Sequence, residues 1–471
     1  MKVIKNYLYN AFYQVFVLIV PLVTTPYLAR VLGPKGVGIN SYTNSIIQYF
    51  ILFGSIGVGL YGNRQIAFVR DNKKKLTNTF YEIFFMRLTT ILLACFAFEI
   101  FVVLIDKYKI YYLAQSISII AAAFDISWFF MGVENFAVTV FRNLIIKIFT
   151  LMSIFMFVKS YDDLTIYILI LSLSLLLGNL TLFPSLRRYI GKLQISKLKI
   201  WHHLVPSLVL FIPEIATQIY LVLNKTMLGS MVSVQSAGYF DQSDKMVKMV
   251  LAIVTATGTV MLPHVANAFA NGEHNKIKEY LYSSFSFVSA LAIPMSFGLA
   301  AIATKFVPLF FTSKFNNVIP IMIIESVIIL LIAWSNAIGT QYLLPTKQTK
   351  SFTMSVLVGA VVNLIANIPL ISFYGASGAA IATVLSEFSV TIYQLIVIKN
   401  QISYRKLFHE LFKYLISGII MYMCIVFLDN YLSKNWMSLF IEVLFGIFIY
   451  ILMLILLRAE ILKKAKNIIC E

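Results

Sequence analysis

Residues 241–248 read Asp-Gln-Ser-Asp-Lys-Met-Val-Lys. On a helix, Asp241, Asp244, Lys245 and Lys248 share one face. Asp241–Lys245 and Asp244–Lys248 are then acid-before-base pairs four residues apart, the favourable order. Two uses are open to such a face. It is a set of self-neutralising pairs that helps a helix enter a bilayer, or it is the polar wall of a water-filled cavity in which the two amines meet an anion. Lys248 lies near the middle of its apolar run, where snorkelling to the interface cannot easily serve it.

A second stretch, Asp125-Ile-Ser-Trp-Phe-Phe-Met-Gly-Val-Glu-Asn-Phe136, puts Asp125 inside an otherwise hydrocarbon segment and Glu134 where that segment ends. A charge at the centre of a membrane helix costs about 2.5–3.5 kcal/mol on insertion scales, so Asp125 needs a partner. The next apolar segment begins with Arg142 and Lys147. In one reading Asp125 and Glu134 pair with those cations or with backbone donors and lock two helices together. In the other they touch substrate or ion directly. Arg30, Arg64, Arg87 and Lys225 are further cations at or within apolar runs, Arg30, Arg64 and Lys225 being equally well ordinary interfacial anchors. Glu214, after Pro213, and Glu325 and Glu387 are the acids in such positions. Trp128, Phe129 and Phe130 read as packing or as an interfacial belt. The five histidines, His202, His203, His264, His274 and His409, fall at segment ends or loops, which predicts no buried histidine relay. Cys95, Cys424 and Cys470 have no spacing that points to a metal or a disulfide framework.

The elements that must position these residues are membrane helices. Of 471 residues 60% are hydrophobic and 12% charged, against about 25% charged in soluble domains. The apolar residues come in fourteen runs of about 20, the length that crosses the hydrocarbon layer as a helix. The fold class expected is an all-α integral membrane protein. Its first run spans rather than being cleaved, and is interrupted by Pro21 and Pro26. The net charge of +18 does not point to nucleic acid. With the N-terminus in the cytoplasm, cytoplasmic segments hold 26 Lys and Arg and external ones 8, the positive-inside bias. Both termini are then cytoplasmic.

The chain also repeats. Leu32-Gly33 and Leu228-Gly229 each end an odd-numbered run. The 26 residues from Gly38 to Arg64 match the 26 from Gly238 to His264, at an offset of 200. Parallel repeats of six helices are a transporter device. The division is residues 1–200 (helices 1–6), 201–400 (helices 7–12), and 401–471 (helices 13 and 14 with a basic tail).

Several motifs carry a resemblance: Ala29-Arg-Val-Leu-Gly33, Tyr61-Gly-Asn-Arg-Gln-Ile-Ala67, Asp125 to Glu134 continuing to Arg142-Asn143, and Asn367 through Gly375-Ala-Ser-Gly-Ala-Ala-Ile-Ala-Thr383 to Glu387. In this order and spacing the chain resembles the Wzx-type polysaccharide flippases of the MOP superfamily across helices 1–12. The resemblance implies a two-lobe bundle like that of MATE exporters and lipid II flippases. It implies translocation of undecaprenyl-pyrophosphate-linked oligosaccharide units from the inner to the outer leaflet of the bacterial plasma membrane. The products served are capsule, O-antigen or exopolysaccharide.

In that job Arg30, Arg64, Lys225, Lys245 and Lys248 are the cations for pyrophosphate, with charge-assisted hydrogen bonds, and Asp241, Asp244 and Glu214 balance them. Asp125, Glu134 and Arg142 belong to the structural motif. Related lipid II flippases have a sodium site whose matching positions here are Asn224, Asn363, Asn367 and Thr383, with Glu387 one turn on. The set departs from the family in having Asn224 where an Asp is common. No G-x-x-x-x-G-K-[ST] occurs. No cofactor is expected beyond sodium or protons as coupling ion. Expected partners are the lipid-linked oligosaccharide, membrane lipids, and a polysaccharide polymerase and glycosyltransferases; nucleic acid is not one. A lipid II flippase, a MATE-type drug exporter and a membrane polysaccharide polymerase are the alternatives. A polymerase needs acids or bases in a sizeable external loop, whereas the external acids here are Asp106, Asp162, Asp163 and Asp429. An exporter of cationic drugs needs an acidic cavity, and these candidates lean cationic.

Overall fold

A computed structural model describes the backbone of residues 2–193, 198–256 and 258–462. It also describes their side chains, apart from residues 2–18, 136–137, 212–214, 216–217, 219–221, 258–260 and 263. Among the described residues the secondary structure is helical and no strand occurs.

The first helical stretch, Lys2–Ser55, is two helices meeting at Gly33, which alone leaves helical angles (φ 64°, ψ 179°). They are α1 (residues 2–32) and α2 (residues 34–55, resuming as Val58–Val69). Glycine accepts this left-handed turn without a Cβ penalty. Pro21 and Pro26 do not interrupt α1 as the sequence predicts. The missing amide of a proline frees the carbonyl one turn back, which membrane helices tolerate where neighbouring groups meet it. The true break in α2 is at Ile56 and Gly57, both with positive φ. There Ser207 Oγ donates to the freed Ile56 carbonyl at 2.6 Å.

The later elements are α3 (Lys73–Leu104), α4 (Lys109–Ala123, resuming as Ser127–Gly132), α5 (Phe136–Phe157), α6 (Leu164–Leu180) and α7 (Leu204–Met231). They continue with α8 (Val234–Thr255), α9 (His274–Phe310) and α10 (Val318–Ser335, continued as a π-helix over Asn336–Leu343). Thr349–Ile398 is again two helices, α11 (residues 349–374) and α12 (residues 376–398), joined at Gly375 with φ 56°. Last come α13 (Leu411–Asp429) and α14 (Trp436–Leu456).

Ten helical stretches among the described residues are long and apolar enough to cross a bilayer. The breaks at Gly33 and Gly375 divide two of them, and α7 and α8 complete the fourteen that the apolar runs predict. The repeat is less regular than its sequence. Gly33 is a left-handed turn, but Gly229 is inside α7, which ends two residues later at Met231. Ser233 then caps α8 by accepting from Ser236 N at 3.1 Å.

Contacts group the chain into two compact units, residues 1–226 and 227–471. In the first unit the second part of α2 packs on α3 and on the short Ser127–Gly132 helix. Gly62 lets the backbone approach Trp128 so closely that a Cβ would lie 2.5 Å from the indole. Trp128, Phe129 and Phe130 are fully buried with Phe80, Ile83 and Met86, so they are packing rather than belt. In the second unit α9 lies along α10 and α13. Tyr450 on α14 donates to the Ala290 carbonyl of α9 at 2.9 Å.

Candidate functional site

The helix that the apolar run predicts through Asp125 is broken there, at residues 124–126. Asp125 opens the next helical turn. Its Oδ1 accepts Ser127 N at 3.0 Å, and its carbonyl accepts Trp128 Nε1 at 3.1 Å. From α3, Arg87 donates Nη1 to the same carbonyl at 3.1 Å and reaches Oδ2 with Nη2 at 3.5 Å.

Glu134 closes the same turn. Glu134 N bonds to Met131 O and Asn135 N to Phe130 O, the paired bonds of a Schellman ending, with Glu134 in the left-handed position usually held by glycine (φ 56°). A carboxylate at a helix C-terminus is poorly placed for the helix dipole. Arg70 offsets this with a 2.6 Å salt bridge, and that hydrogen bond pushes the Arg70 guanidinium above its ordinary value.

The motif is thus a short buried helix framed by two carboxylates, each held by an arginine. The close ion pairs are with Arg87 and Arg70. The break turns Asp125 towards α3. Asp125 also takes a backbone donor, Ser127 N, one of the expected alternatives, and the charge of Arg142 acts on it as well. Arg142 also ties α5 to α6, through Asn179 Oδ1 at 3.1 Å and the Gly178 carbonyl at 3.4 Å. Asn179 in turn donates to Ala121 O of α4 at 2.7 Å.

Sequence reasoning missed a second cluster in this unit. His203 is buried just before α7 begins. Its Nδ1 lies 2.7 Å from Tyr61 Oη and its Nε2 2.9 Å from Glu82 Oε2. Glu82 also accepts Lys199 N at 2.8 Å. The spacing Tyr61…Glu82…His203 carries no local signal, because three helices bring the groups together. Arg30 and Arg64 are exposed and Lys225 is half-buried. Asn224 is buried near the end of α7, and Glu214 lies outside the described side chains.

In the second unit both pairs on α8 form: Lys245 Nζ to Asp241 Oδ2 at 2.5 Å, and Lys248 Nζ to Asp244 Oδ2 at 2.8 Å. The carboxylates turn inward, while each lysine side chain is 45% exposed. Lys248 is fourteen residues beyond Val234, or about 21 Å along the helix at 1.5 Å per residue. Behind the face, Ser243 Oγ donates to Glu325, a buried carboxylate of α10.

Asn363 and Asn367 are fully buried one turn apart on α11, with Asn367 Nδ2 on Asn363 Oδ1 at 2.8 Å. Thr383 Oγ1 donates to Ala379 O at 2.8 Å, and Glu387 is buried one turn further along α12. Asn363 Nδ2 is buried without a hydrogen-bond partner. The two ends of an amide are nearly interchangeable in density and shape. Turned together, so that Asn363 donates to Asn367 in place of the reverse, the two amides would offer an Asn363 oxygen there, and these amide, hydroxyl and carboxylate oxygens fit sodium in kind.

A third buried charge cluster has no counterpart in the sequence reading. Lys305 of α9 is fully buried against Glu442 of α14 and forms a 2.8 Å salt bridge with Asp429 at the end of α13.

Residues 3–269 match the family described as polysaccharide biosynthesis protein. The chain is 23% identical over 403 residues to a putative O-antigen transporter of Escherichia coli (strain K12), covering 84% of this chain and 96% of that protein. It is 24% identical over 170 residues to the lipid II flippase MurJ of Bacillus subtilis (strain 168), covering 34% of this chain and 30% of that one. Among solved structures, a lipid II flippase MurJ in an inward closed conformation superposes with a TM-score of 0.77 at 19% identity, over 96% of this chain and 99% of that chain. An inward-facing multidrug resistance MATE family transporter of the MOP superfamily superposes with a TM-score of 0.62 at 11% identity, over 81% and 95%. These likenesses show the fold. With more than half its length matched, the chain belongs to the polysaccharide biosynthesis protein family.

Proposed function

We propose that this multi-pass membrane protein moves undecaprenyl-pyrophosphate-linked oligosaccharide repeat units from the inner to the outer leaflet of a bacterial plasma membrane, with both termini in the cytoplasm. The relatives that it matches over most of its length are named as putative O-antigen transporters, which supports a transporter over a catalyst. The family and the O-antigen transporters, which align over most of the chain, support a polysaccharide unit over a peptidoglycan precursor or a drug.

The observation that carries the reading is the pair Lys245 and Lys248, exposed deep in a membrane helix while Asp241 and Asp244 are turned in. In the empty state each amine is neutralised by its own carboxylate, so the face tolerates waiting without an anion. An arriving pyrophosphate offers stronger charge-assisted hydrogen bonds and draws the amines off. Arg30, Arg64 and Lys225 are the further cations proposed along the path, with Glu214 as a balancing acid. Alternating access follows if the pyrophosphate binds one conformation better, since a ligand shifts a two-state equilibrium by its differential affinity.

Coupling to sodium or protons is part of the proposal. Asn224, Asn363, Asn367, Thr383 and Glu387 are the residues that would hold sodium, and the ion would supply a positive charge that binding energy must hold or release. The division by repeat into residues 1–200, 201–400 and 401–471 is likewise proposed, as are a polymerase and glycosyltransferases as partners.

The test is reconstitution of the purified chain in vesicles that carry labelled lipid-linked oligosaccharide. The expected result is accelerated leaflet exchange with no new glycosidic bond. Bond formation, or exchange no faster than in protein-free vesicles, overturns the reading.

A further inference from the structure

A cavity of about 510 Å³ opens in the second unit, away from the α8 face, where the chain between α12 and α13 folds against α9 and the end of α14. Its rim carries Arg405 and Lys406, both exposed. Its inner wall carries hydroxyls. Tyr282 Oη accepts Ser403 N at 2.8 Å, which leaves its own proton free to donate. Ser286 Oγ and Tyr414 Oη are 2.9 Å apart, so whichever donates to the other, one O–H is left over. The acid beside them is already committed. Glu410 accepts Lys413 Nζ at 2.7 Å and Glu460 N at 2.8 Å, with His409 Nδ1 at 3.2 Å. Glu460 itself is exposed at the opening. Two cations over surplus hydroxyl donors form a set suited to phosphate oxygens.

The cavity does not stand alone. The next residues along the same helices line an apolar groove of about 560 Å³: Ala290 follows Ser289 on α9, Met421 lies two turns beyond Tyr414 on α13, and Ile461 follows Glu460. The polar pocket therefore stands at one end of a hydrocarbon-lined track. A ligand that satisfies both has a phosphate at one end and an aliphatic chain at the other.

We propose that this pocket is a binding site for the phosphate headgroup of a bilayer lipid whose acyl chains lie in the adjoining groove. The headgroup pocket has no residue of α8 in its lining, although Val250 and Ile253 of α8 line the groove, and the site stands whether or not the transport reading holds. A basic pocket between membrane helices at the interface is a setting in which lipid headgroups are bound.

The test uses the full chain purified in detergent, with lipid affinity read by native mass spectrometry and by thermal shift. Phosphatidylglycerol should bind and raise the unfolding temperature. Diacylglycerol, which lacks the phosphate, and inorganic phosphate, which lacks the chains, should each fail to do so. Two interfacial cations at about 1 kcal/mol each correspond to about thirtyfold in affinity. Arg405→Gln/Lys406→Gln should therefore weaken phosphatidylglycerol by about that factor and leave the lipid-free unfolding temperature unchanged. Tyr282→Phe, which removes only an O–H, should weaken it several-fold. The same charge removed elsewhere, in Arg187→Gln/Arg188→Gln, should change nothing. Wild-type lipid affinity in the Arg405/Lys406 and Tyr282 variants overturns the site. Equal binding of diacylglycerol overturns the role of phosphate, protection by inorganic phosphate alone overturns the lipid as source, and equal loss in the Arg187/Arg188 control reduces the effect to general surface charge.

Discussion

Arg87 and Asp125 join α3 to the break in α4, the guanidinium meeting both the backbone carbonyl and the carboxylate of one residue. Arg87 is only 5% exposed, so its charge depends on Asp125. Removing one member of a buried ion pair costs about 3–5 kcal/mol, whereas removing both costs less. Arg87→Met should sharply reduce folded protein in the membrane, and Arg87→Met/Asp125→Asn should recover part of it. Fluorescence-detected size exclusion of detergent extracts measures this. Strictly additive losses in the double variant would refute the coupling.

The Tyr61–His203–Glu82 chain makes a separate prediction. Tyr61→Phe keeps the ring and leaves His203 Nδ1 buried without its partner, which costs about 1–3 kcal/mol. Tyr61→Phe and His203→Ala should each lower the thermal midpoint, while His202→Ala, at an exposed neighbour, should leave it near the wild-type value. A midpoint unaffected by Tyr61→Phe would mean that the chain contributes nothing to holding α2 on α3 and α7.

How much of this was legible in the sequence depends on range. The fourteen helices follow from runs of hydrocarbon residues, and the pairs on α8 from i,i+4 spacing, because both signals are local. The partner of Asp125 is 38 residues away and that of Glu134 is 64, so no spacing rule finds them. The break at residues 124–126 was readable only in hindsight: Asp125-Ile-Ser has the form of a capped start, but the surrounding apolar run hides it. Pro21 and Pro26 misled in the other direction. Proline marks a break in water, whereas here Gly33, with its left-handed φ, makes the turn. His203 carries no local signal, whereas Lys305 and Glu442 stand inside apolar runs, the signal that singled out Asp125, and only their partners are hidden from local spacing.

Lys305 and Glu442 are the deepest ion pair of the second unit. Lys305→Met strands the Glu442 and Asp429 carboxylates at the junction of α9, α13 and α14 and should cost about 3–5 kcal/mol. Replacing a buried pair by apolar residues of similar size is often neutral, so Lys305→Met/Glu442→Leu should be more stable than Lys305→Met alone. Thermal unfolding of the purified variants decides it. A double variant less stable than the single one would mean that Glu442 does not depend on Lys305.

Topology is tested by labelling. With Cys95, Cys424 and Cys470 replaced, single cysteines at positions 75, 163 and 434 are exposed to an impermeant thiol reagent on intact cells. The basic asymmetry predicts labelling at 163 and 434 and protection at 75 until the cells are opened. Equal labelling at all three positions would rule out the orientation.

Lys248 separates the two uses of the α8 face. If the pairs exist only to let the helix insert, Lys248→Gln should lower abundance, because Asp244 loses its partner at 2.8 Å, and Lys248→Gln/Asp244→Asn should restore abundance and transport together. If Lys248 receives pyrophosphate, the double variant should restore abundance but not transport, since the anion still lacks its cation. Lys248→Arg should keep part of the activity, because charge is retained while a planar guanidinium replaces a compact ammonium. Surface polymer in a flippase-deficient strain, with membrane abundance measured by blot, reads both quantities at once. The proposed function expects the second outcome. Wild-type polymer from Lys248→Gln/Asp244→Asn at normal abundance would end the anion role of this residue.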